Sequence, residues 1–467
     1  MAGEFWHRCG VNLPTEEARG LARALTELLD ASRQAVTASG SPLIARIAEH
    51  VGCPLDEIPT VAEHLPSWDH ANLQRGVDAY LARHSPDAAW FGIAGSRHFT
   101  SVVDMLTMAD TSGQYRLGAV DYTTVATGPA SAAEAVQLGL VCTVGPDGTP
   151  VVLAIQGADE DRGEDRCHLQ VLAADRSSAA AVREEILALT REHDVFRGQV
   201  LAFGTSEHRG NRLLTFLPRP ELRADQVVLA DGVLSSIERH VVRSAEQTAA
   251  LREHGQHLKR GLLLYGPPGT GKTHTVRYLL SRLPSCTVFL LSGLAMIRWL
   301  RATASLARRL EPSVVVVEDV DLIAHDRSMT MSGNPALFEL LDEMDGIGSE
   351  ADVTFVLTTN RVDTMEEALA QRPGRVDLAV EIPKPDAACR ERLLRLYAGP
   401  ALRLADASPL VAATDGVTAS FVKEWVRRAV LSAVDTGSAL DEQALRSALD
   451  ELLSQQQALT RSMLGGR

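Results

Sequence analysis

The sequence predicts an α/β protein whose centre is a parallel sheet with helices on both faces, and three observations carry that prediction. From Gln226 to Glu381 short apolar runs alternate with helical stretches, the pattern of a sheet built from strand–helix–strand units. Inside that span a glycine-rich octapeptide, Gly266-Pro267-Pro268-Gly269-Thr270-Gly271-Lys272-Thr273, separates one such run from the next helix. Beyond Pro385 the chain to Arg467 is helical in pattern, with no strand signal.

Ahead of this core the pattern divides in two. Residues 1–86 are rich in Ala and Leu at helical spacing, as in Glu17–Leu29, and read as a helical N-terminal region. Residues 87–220 read as an α/β or α+β domain with a mostly antiparallel sheet. The apolar runs Leu138–Val144 and Val151–Gln156 flank the turn Gly145–Pro150, a hairpin signal, and Phe196–Phe203 and Leu213–Leu217 look like two further strands. Pro218-Arg219-Pro220 marks a linker, so the core spans 221–384 and the helical tail 385–467. At 467 residues the chain has room for about three domains.

Composition excludes several function classes. A net charge of −14 disfavours a protein that works by neutralising nucleic-acid phosphates or by lying on anionic lipid. Six scattered cysteines without a CxxC pair suit a reducing compartment, and the fourteen histidines match no metal-ligand spacing. No stretch reaches the ~18 apolar residues of a membrane span, and the expected setting is cytoplasmic.

The octapeptide matches GxxxxGK[ST], a phosphate cradle. Its glycines let backbone N–H groups face the phosphates, and the helix that follows adds partial positive charge. Lys272 is placed to bridge the β- and γ-phosphates and the Thr273 hydroxyl to ligate Mg²⁺. Downstream, the β-branched run Val314–Val317 reads as a strand buried on both faces, and it ends in Glu318-Asp319. Carboxylates at the carboxyl end of such a strand stand beside the phosphate loop, one to hold Mg²⁺ and one to orient the attacking water. A third strand, Val353–Thr359, ends in Asn360, whose amide suits the γ-phosphate or that same water.

In this order the residues resemble the AAA branch of the AAA+ ATPases, over about half the chain. GPPGTGKT is similar to Walker A, VVVVED to Walker B, Thr358-Thr359-Asn360 to sensor 1, and Arg372-Pro373-Gly374-Arg375-Val376-Asp377 to the second region of homology. The resemblance implies an ATPase core with a helical lid, ATP and Mg²⁺ as ligands, and Glu318 on the magnesium side of the acidic pair. It further implies that Arg372 and Arg375 are arginine fingers completing a neighbour's site, hence a homo-oligomeric ring, commonly a hexamer. Gly416 would stand in the lid where other branches carry an arginine, and Asp231 and Gly232 where the family grips adenine. Residues 1–220 would then select a protein target.

Three departures stand out. The acidic pair reads Glu-Asp where the family usually has Asp-Glu, so the attacking water must approach one methylene closer or be reached through a second water. The segment between Ser292 and Pro312 is short for an aromatic pore loop, leaving Met296 and Trp299 as its only candidate grips. No HExxH protease signature occurs.

Overall fold

A computed structural model of the chain describes residues 18–28, 31, 41–95, 101–159, 165–204, 213–321, 335–348, 350–361 and 376–463. The chain divides into two compact units, Met1–Val195 with Ser206–Leu213, and Phe196–Thr205 with Leu214–Arg467.

The first unit is an antiparallel sheet covered on both faces. Its strands are β1 (Thr60–Pro66), β2 (Trp90–Ala94), β3 (Arg116–Gly118), β4 (Asp121–Ala126), β5 (Ala132–Val144), β6 (Pro150–Gln156) and β7 (Arg166–Ala173), in the order β1-β7-β6-β5-β2-β3 with β4 also on β5. Successive side chains of a strand point to opposite faces, and here both sets are apolar. Leu140, Val152, Ala154 and Leu172 meet the helices α1 (Pro42–Val51) and α3 (Val102–Thr111). Val141, Val151, Leu153 and Val171 meet α2 (His70–His84) and α4 (Arg176–Glu192). The expected hairpin is present, Leu138 opposite Gln156 through Val144 opposite Pro150.

The expected boundary at 86/87 is not a domain boundary. Thr60–Pro66, read as part of a helical region, is an edge strand paired with β7, its ends marked by Pro59 and Pro66. Prolines that look like helix breaks here delimit a strand, where a missing N–H is tolerated at an edge.

The second unit is a sheet of order β14-β10-β13-β12-β11-β8-β9. Its strands are β8 (Val200–Phe203), β9 (Leu214–Leu217), β10 (Arg260–Tyr265), β11 (Thr287–Ser292), β12 (Ser313–Glu318), β13 (Val353–Thr359) and β14 (Leu378–Glu381). Every pair is parallel except β8–β9. Val314–Val317 are at most 1% exposed, as a strand covered on both faces requires. The helices α6 (Lys272–Arg282), α7 (Leu294–Arg309) and α8 (Pro335–Gly346) follow β10, β11 and β12, with the shorter α5 (Val233–Glu238) ahead of β10.

Strands β8 and β9 overturn the second expected boundary, at 220. The sequence pattern groups them with the preceding antiparallel sheet, yet they extend the parallel one, β8 lying on β11. Local sequence gives a strand its faces but not the sheet it joins. Arg219, read as linker, fastens this addition: its guanidinium donates to Leu280 O and Leu283 O at the end of α6, and to Gly198 O and Cys286 O, at 2.8–3.0 Å.

The tail forms α9 (Ala387–Ala398), α10 (Ser408–Ala413), α11 (Ala419–Thr436) and α12 (Glu442–Met463). They share a core of their own, with Trp425 1% exposed and its Nε1 donating to Leu445 O at 2.6 Å. Among the described residues no helix is long and apolar enough to cross a membrane.

Candidate functional site

The carboxyl ends of β10, β12 and β13 meet at one edge of the parallel sheet, and the loops leaving them line a cleft of about 420 Å³. Its floor is Pro268 to Thr275, the phosphate loop and the first turn of α6. Two glycines there have no substitute. Gly266 (φ 141°) passes so close to β14 that a Cβ would meet Ile382 O at 2.3 Å. Gly269 (φ 76°) lies under the lid, where Ser420 N–H donates to Gly269 O at 3.0 Å and an added Cβ would crowd the Ser420 and Thr418 side chains.

Lys272 is 6% exposed and its ammonium turns back on the loop, donating to Gly266 O (2.8 Å), Pro267 O (2.9 Å) and Asn360 Oδ1 (2.8 Å). Burial holds its pKa below the usual lysine value, against the pull of Asp319 and Asp321. The Asn360 amide continues the chain, its Nδ2 donating to Asp319 Oδ1 at 3.2 Å. A cation, an amide and a carboxylate from three separate strand–loop junctions are thus joined in a line across the cleft.

Asp321 sets that line. It accepts from the Asn360 backbone N–H (2.9 Å) and the Thr359 hydroxyl (3.0 Å). Burial pushes its carboxyl up, but these hydrogen bonds outweigh it and hold the pKa below the usual aspartate value. Asp319 has φ 51°, the left-handed region, and is the one non-glycine residue with positive φ among those described. Its N–H donates to Thr358 Oγ1 at 3.0 Å. Backbone strain of ~1–3 kcal/mol is retained where surrounding bonds over-determine the conformation, and such residues gather at functional sites.

The structure brings most expected site residues together and separates others. Pro268, Gly269, Thr270, Gly271, Lys272, Thr273, Asp319 and Asn360 line the cleft. Glu318, expected on the magnesium side, ends β12 but does not line it, so the carboxylate at the loop is that of Asp319. Gly416 lies off the cleft with open space around it, and the lid residues facing the loop are Ala419, Ser420 and Lys423. Asp231 and Gly232 also lie off it: Gly232 (φ 81°) starts α5, and the wall is formed by Gln226 to Leu229 just upstream. A smaller apolar slot of about 70 Å³ adjoins, lined by Val228, Leu229, Val233, Ile382, Cys389 and Ala419 among others. Arg372 and Arg375 lie outside the described residues.

Sequence reasoning missed the lid contribution: Leu393, Tyr397, Ser420 and Lys423. Its signal was the helix start at Thr418, whose hydroxyl accepts from Phe421 N–H, followed by residues at helical spacing on one face. Neither candidate pore-loop residue is free. Met296 is fully buried; Trp299 stacks on Phe203 of β8 (ring centroids 5.3 Å apart) and donates to Gly204 O at 3.2 Å.

The residues present fit a magnesium-bound polyphosphate. The Thr273 hydroxyl and the Asp319 carboxylate supply hard oxygen donors on the cleft wall. No cluster of three His, Cys, Asp or Glu suited to a metal exists among the described residues, so such an ion would be completed by phosphate oxygens and water, as Mg²⁺ prefers.

Residues 262–384 match the model of the ATPase family associated with various cellular activities (AAA). The chain is 29% identical over 273 residues to the ATP-dependent zinc metalloprotease FtsH of Mycobacterium tuberculosis (strain H37Rv), covering 55% of this chain and 35% of that protein. It is 33% identical over 152 residues to the 26S proteasome regulatory subunit 8 homolog of Schizosaccharomyces pombe, covering 30% and 37%. To proteasome-activating nucleotidase 1 of Halobacterium salinarum it is 27% identical over 249 residues, covering 50% and 61%. The chain spans about a third of the length of the FtsH proteins it matches.

Proposed function

The chain belongs to the AAA+ ATPase superfamily, and from that premise we propose that it is an ATP-hydrolysing, ring-forming motor that remodels a protein target selected by residues 1–195. The observation that carries this reading is the line Lys272–Asn360–Asp319 across the cleft.

In this reading Lys272 leaves the loop carbonyls for the β- and γ-phosphates when ATP enters, which frees Asn360 to hold the attacking water. Asp319, already hydrogen-bonded to Asn360, orients that water and accepts its proton. Thr273 would hold the Mg²⁺ together with phosphate oxygens and water, and that ion would neutralise charge on the phosphates. The apolar slot beside Leu229 and Ala419 takes the base. Arg372 and Arg375 of a neighbouring copy would stabilise charge on the γ-phosphate, so turnover should require assembly, as a hexamer in our reading.

The test follows ATP turnover against protein concentration while light scattering reports mass. Wild type should gain specific activity as a ring forms; Arg375→Ala should assemble but hydrolyse at least about 100-fold more slowly. Turnover no faster than that of Lys272→Ala, at ring-forming concentration, would sink the motor reading.

Two observations favour a second reading, a slow nucleotide-gated binder that does not thread polypeptide. Trp299 is engaged by Phe203 and Gly204, and the residue facing the loop is the shorter aspartate. Partner binding that needs ATP but survives loss of hydrolysis would select it.

A further inference from the structure

The antiparallel sheet changes character toward its β1 edge. On the face where Leu172 and Ala154 join the core beneath α1 and α3, the next positions along β7 are Gln170 and His168, and Gln156 of β6 stands opposite His168. On the other side of β7 the register sets His64 of β1 directly against His168. The two imidazoles touch. Their Nδ1 atoms are 2.6 Å apart, and the rings meet edge-on at 86°, with centroids 4.7 Å apart. At that distance one Nδ1 donates and the other accepts, so at least one ring presents a bare lone pair to its partner. His64 is exposed, and Ala62 and Pro66, its neighbours on the same face of β1, are too short to cover the pair.

Gln170 supplies a second, independent observation. It is 5% exposed, yet its Oε1 has no hydrogen-bond partner. A buried carbonyl oxygen in that state marks a place for a water or an ion. Two residues along β7 from His168, it lies on the histidine face of the strand.

We propose that His64 and His168 form a two-histidine site for one divalent transition-metal ion of the zinc type, which ties β1 to β7. Imidazole nitrogen suits Zn²⁺, Cu²⁺ and Ni²⁺, whereas Mg²⁺ and Ca²⁺ take oxygen. A tetrahedral ion with Zn–N bonds of about 2.0–2.1 Å holds two nitrogens about 3.3 Å apart, so the rings need part by only roughly 0.7 Å. The proton shared between the rings leaves as the metal enters. No third His, Cys, Asp or Glu completes a cluster among the described residues, so water fills the remaining positions, with Gln170 Oε1 accepting from it. The ligands are 104 residues apart in sequence, which is why no spacing along the chain announces them. Binding the folded sheet alone, the ion adds stability to an edge strand otherwise held by one ladder.

The test is calorimetric titration of Zn²⁺ into the metal-stripped full chain, for wild type, His64→Asn, His168→Asn and the double variant. Each single replacement should weaken the same one equivalent of Zn²⁺ at least about 10-fold, and the double variant should lose no second equivalent. Mg²⁺ should not compete for it, and Gln170→Ala should weaken it less than either histidine replacement. In thermal melts Zn²⁺ should raise the midpoint of wild type but not of His64→Asn. Zinc uptake equal in wild type and His64→Asn, or displacement by Mg²⁺, overturns the proposal. Because His64 is exposed, His64→Asn decides the question alone should His168→Asn fail to fold.

Discussion

The two sheets use similar polar side chains to opposite ends. In the antiparallel sheet, neighbouring strands finish at opposite edges, so their terminal residues are dispersed, and polar groups brace the backbone. His50 Nε2 bonds Thr143 O and Val151 O, Tyr80 OH donates to Val144 O, and Gln74 Oε1 accepts from Val136 N–H. In the second sheet the carboxyl ends of all strands but β9 fall on one edge, and Lys272, Asp319 and Asn360 arrive there from three strands separated by tens of residues. Strand direction, more than composition, decides which sheet of this chain gathers its polar side chains at one edge.

The sharpest way to break that contrast is to remove chemistry from the parallel edge without disturbing its fold. Asp319→Asn should keep nucleotide binding but lower turnover at least about 100-fold, the usual contribution of a positioned general base. Phosphate release alongside nucleotide titration checks it; retained turnover would move the base elsewhere. A smaller effect should appear in the antiparallel unit. A Cβ on Gly76 of α2 would fall 2.1 Å from Thr190 Oγ1 and 2.9 Å from Thr190 N on α4, so Gly76→Ala must separate two packed helices. About 3 kcal/mol of that unit's stability should be lost in denaturant melts, with nucleotide affinity unchanged. Joint loss of both would show that the two units do not fold independently.

The smallest effect is one of pH. His70 is buried, its Nε2 bonded to Val136 O; burial lowers its pKa below 6.5 by more than that bond raises it. The folded state therefore favours the neutral ring, while the unfolded chain takes up a proton near the ordinary value. This contribution is complete above pH 6.5 and is lost as pH falls below it, by at most about 1.4 kcal/mol per pH unit. Melts of wild type and His70→Asn between pH 5 and 8 should diverge only on the acid side.

How much was legible follows from the same contrast. The phosphate loop, the buried valine strand and Asn360 each announce themselves within a few residues, because a parallel strand is apolar throughout and its chemistry follows immediately. What stayed hidden depended on long-range placement. Ser420 and Lys423 reach the loop from about 150 residues away through the lid, and Asp231, Gly232 and Gly416 missed the cleft by one helical turn or less of sequence. At Glu318-Asp319 the order was plain, but which carboxylate faces the loop depended on a left-handed backbone at Asp319 that no residue type requires. Strand β1 escaped because prolines punctuate helices and edge strands alike.

The hairpin that Arg219 and Trp299 fasten to the parallel sheet governs where a working fragment of this protein could be cut. A cut before residue 221, where the sequence alone would place it, removes β8 and β9 and strips β11 of its neighbour. The bare edge would offer unpaired N–H and C=O groups to any extended chain, an invitation to aggregate. A fragment that keeps this sheet whole must instead begin at or before Phe196.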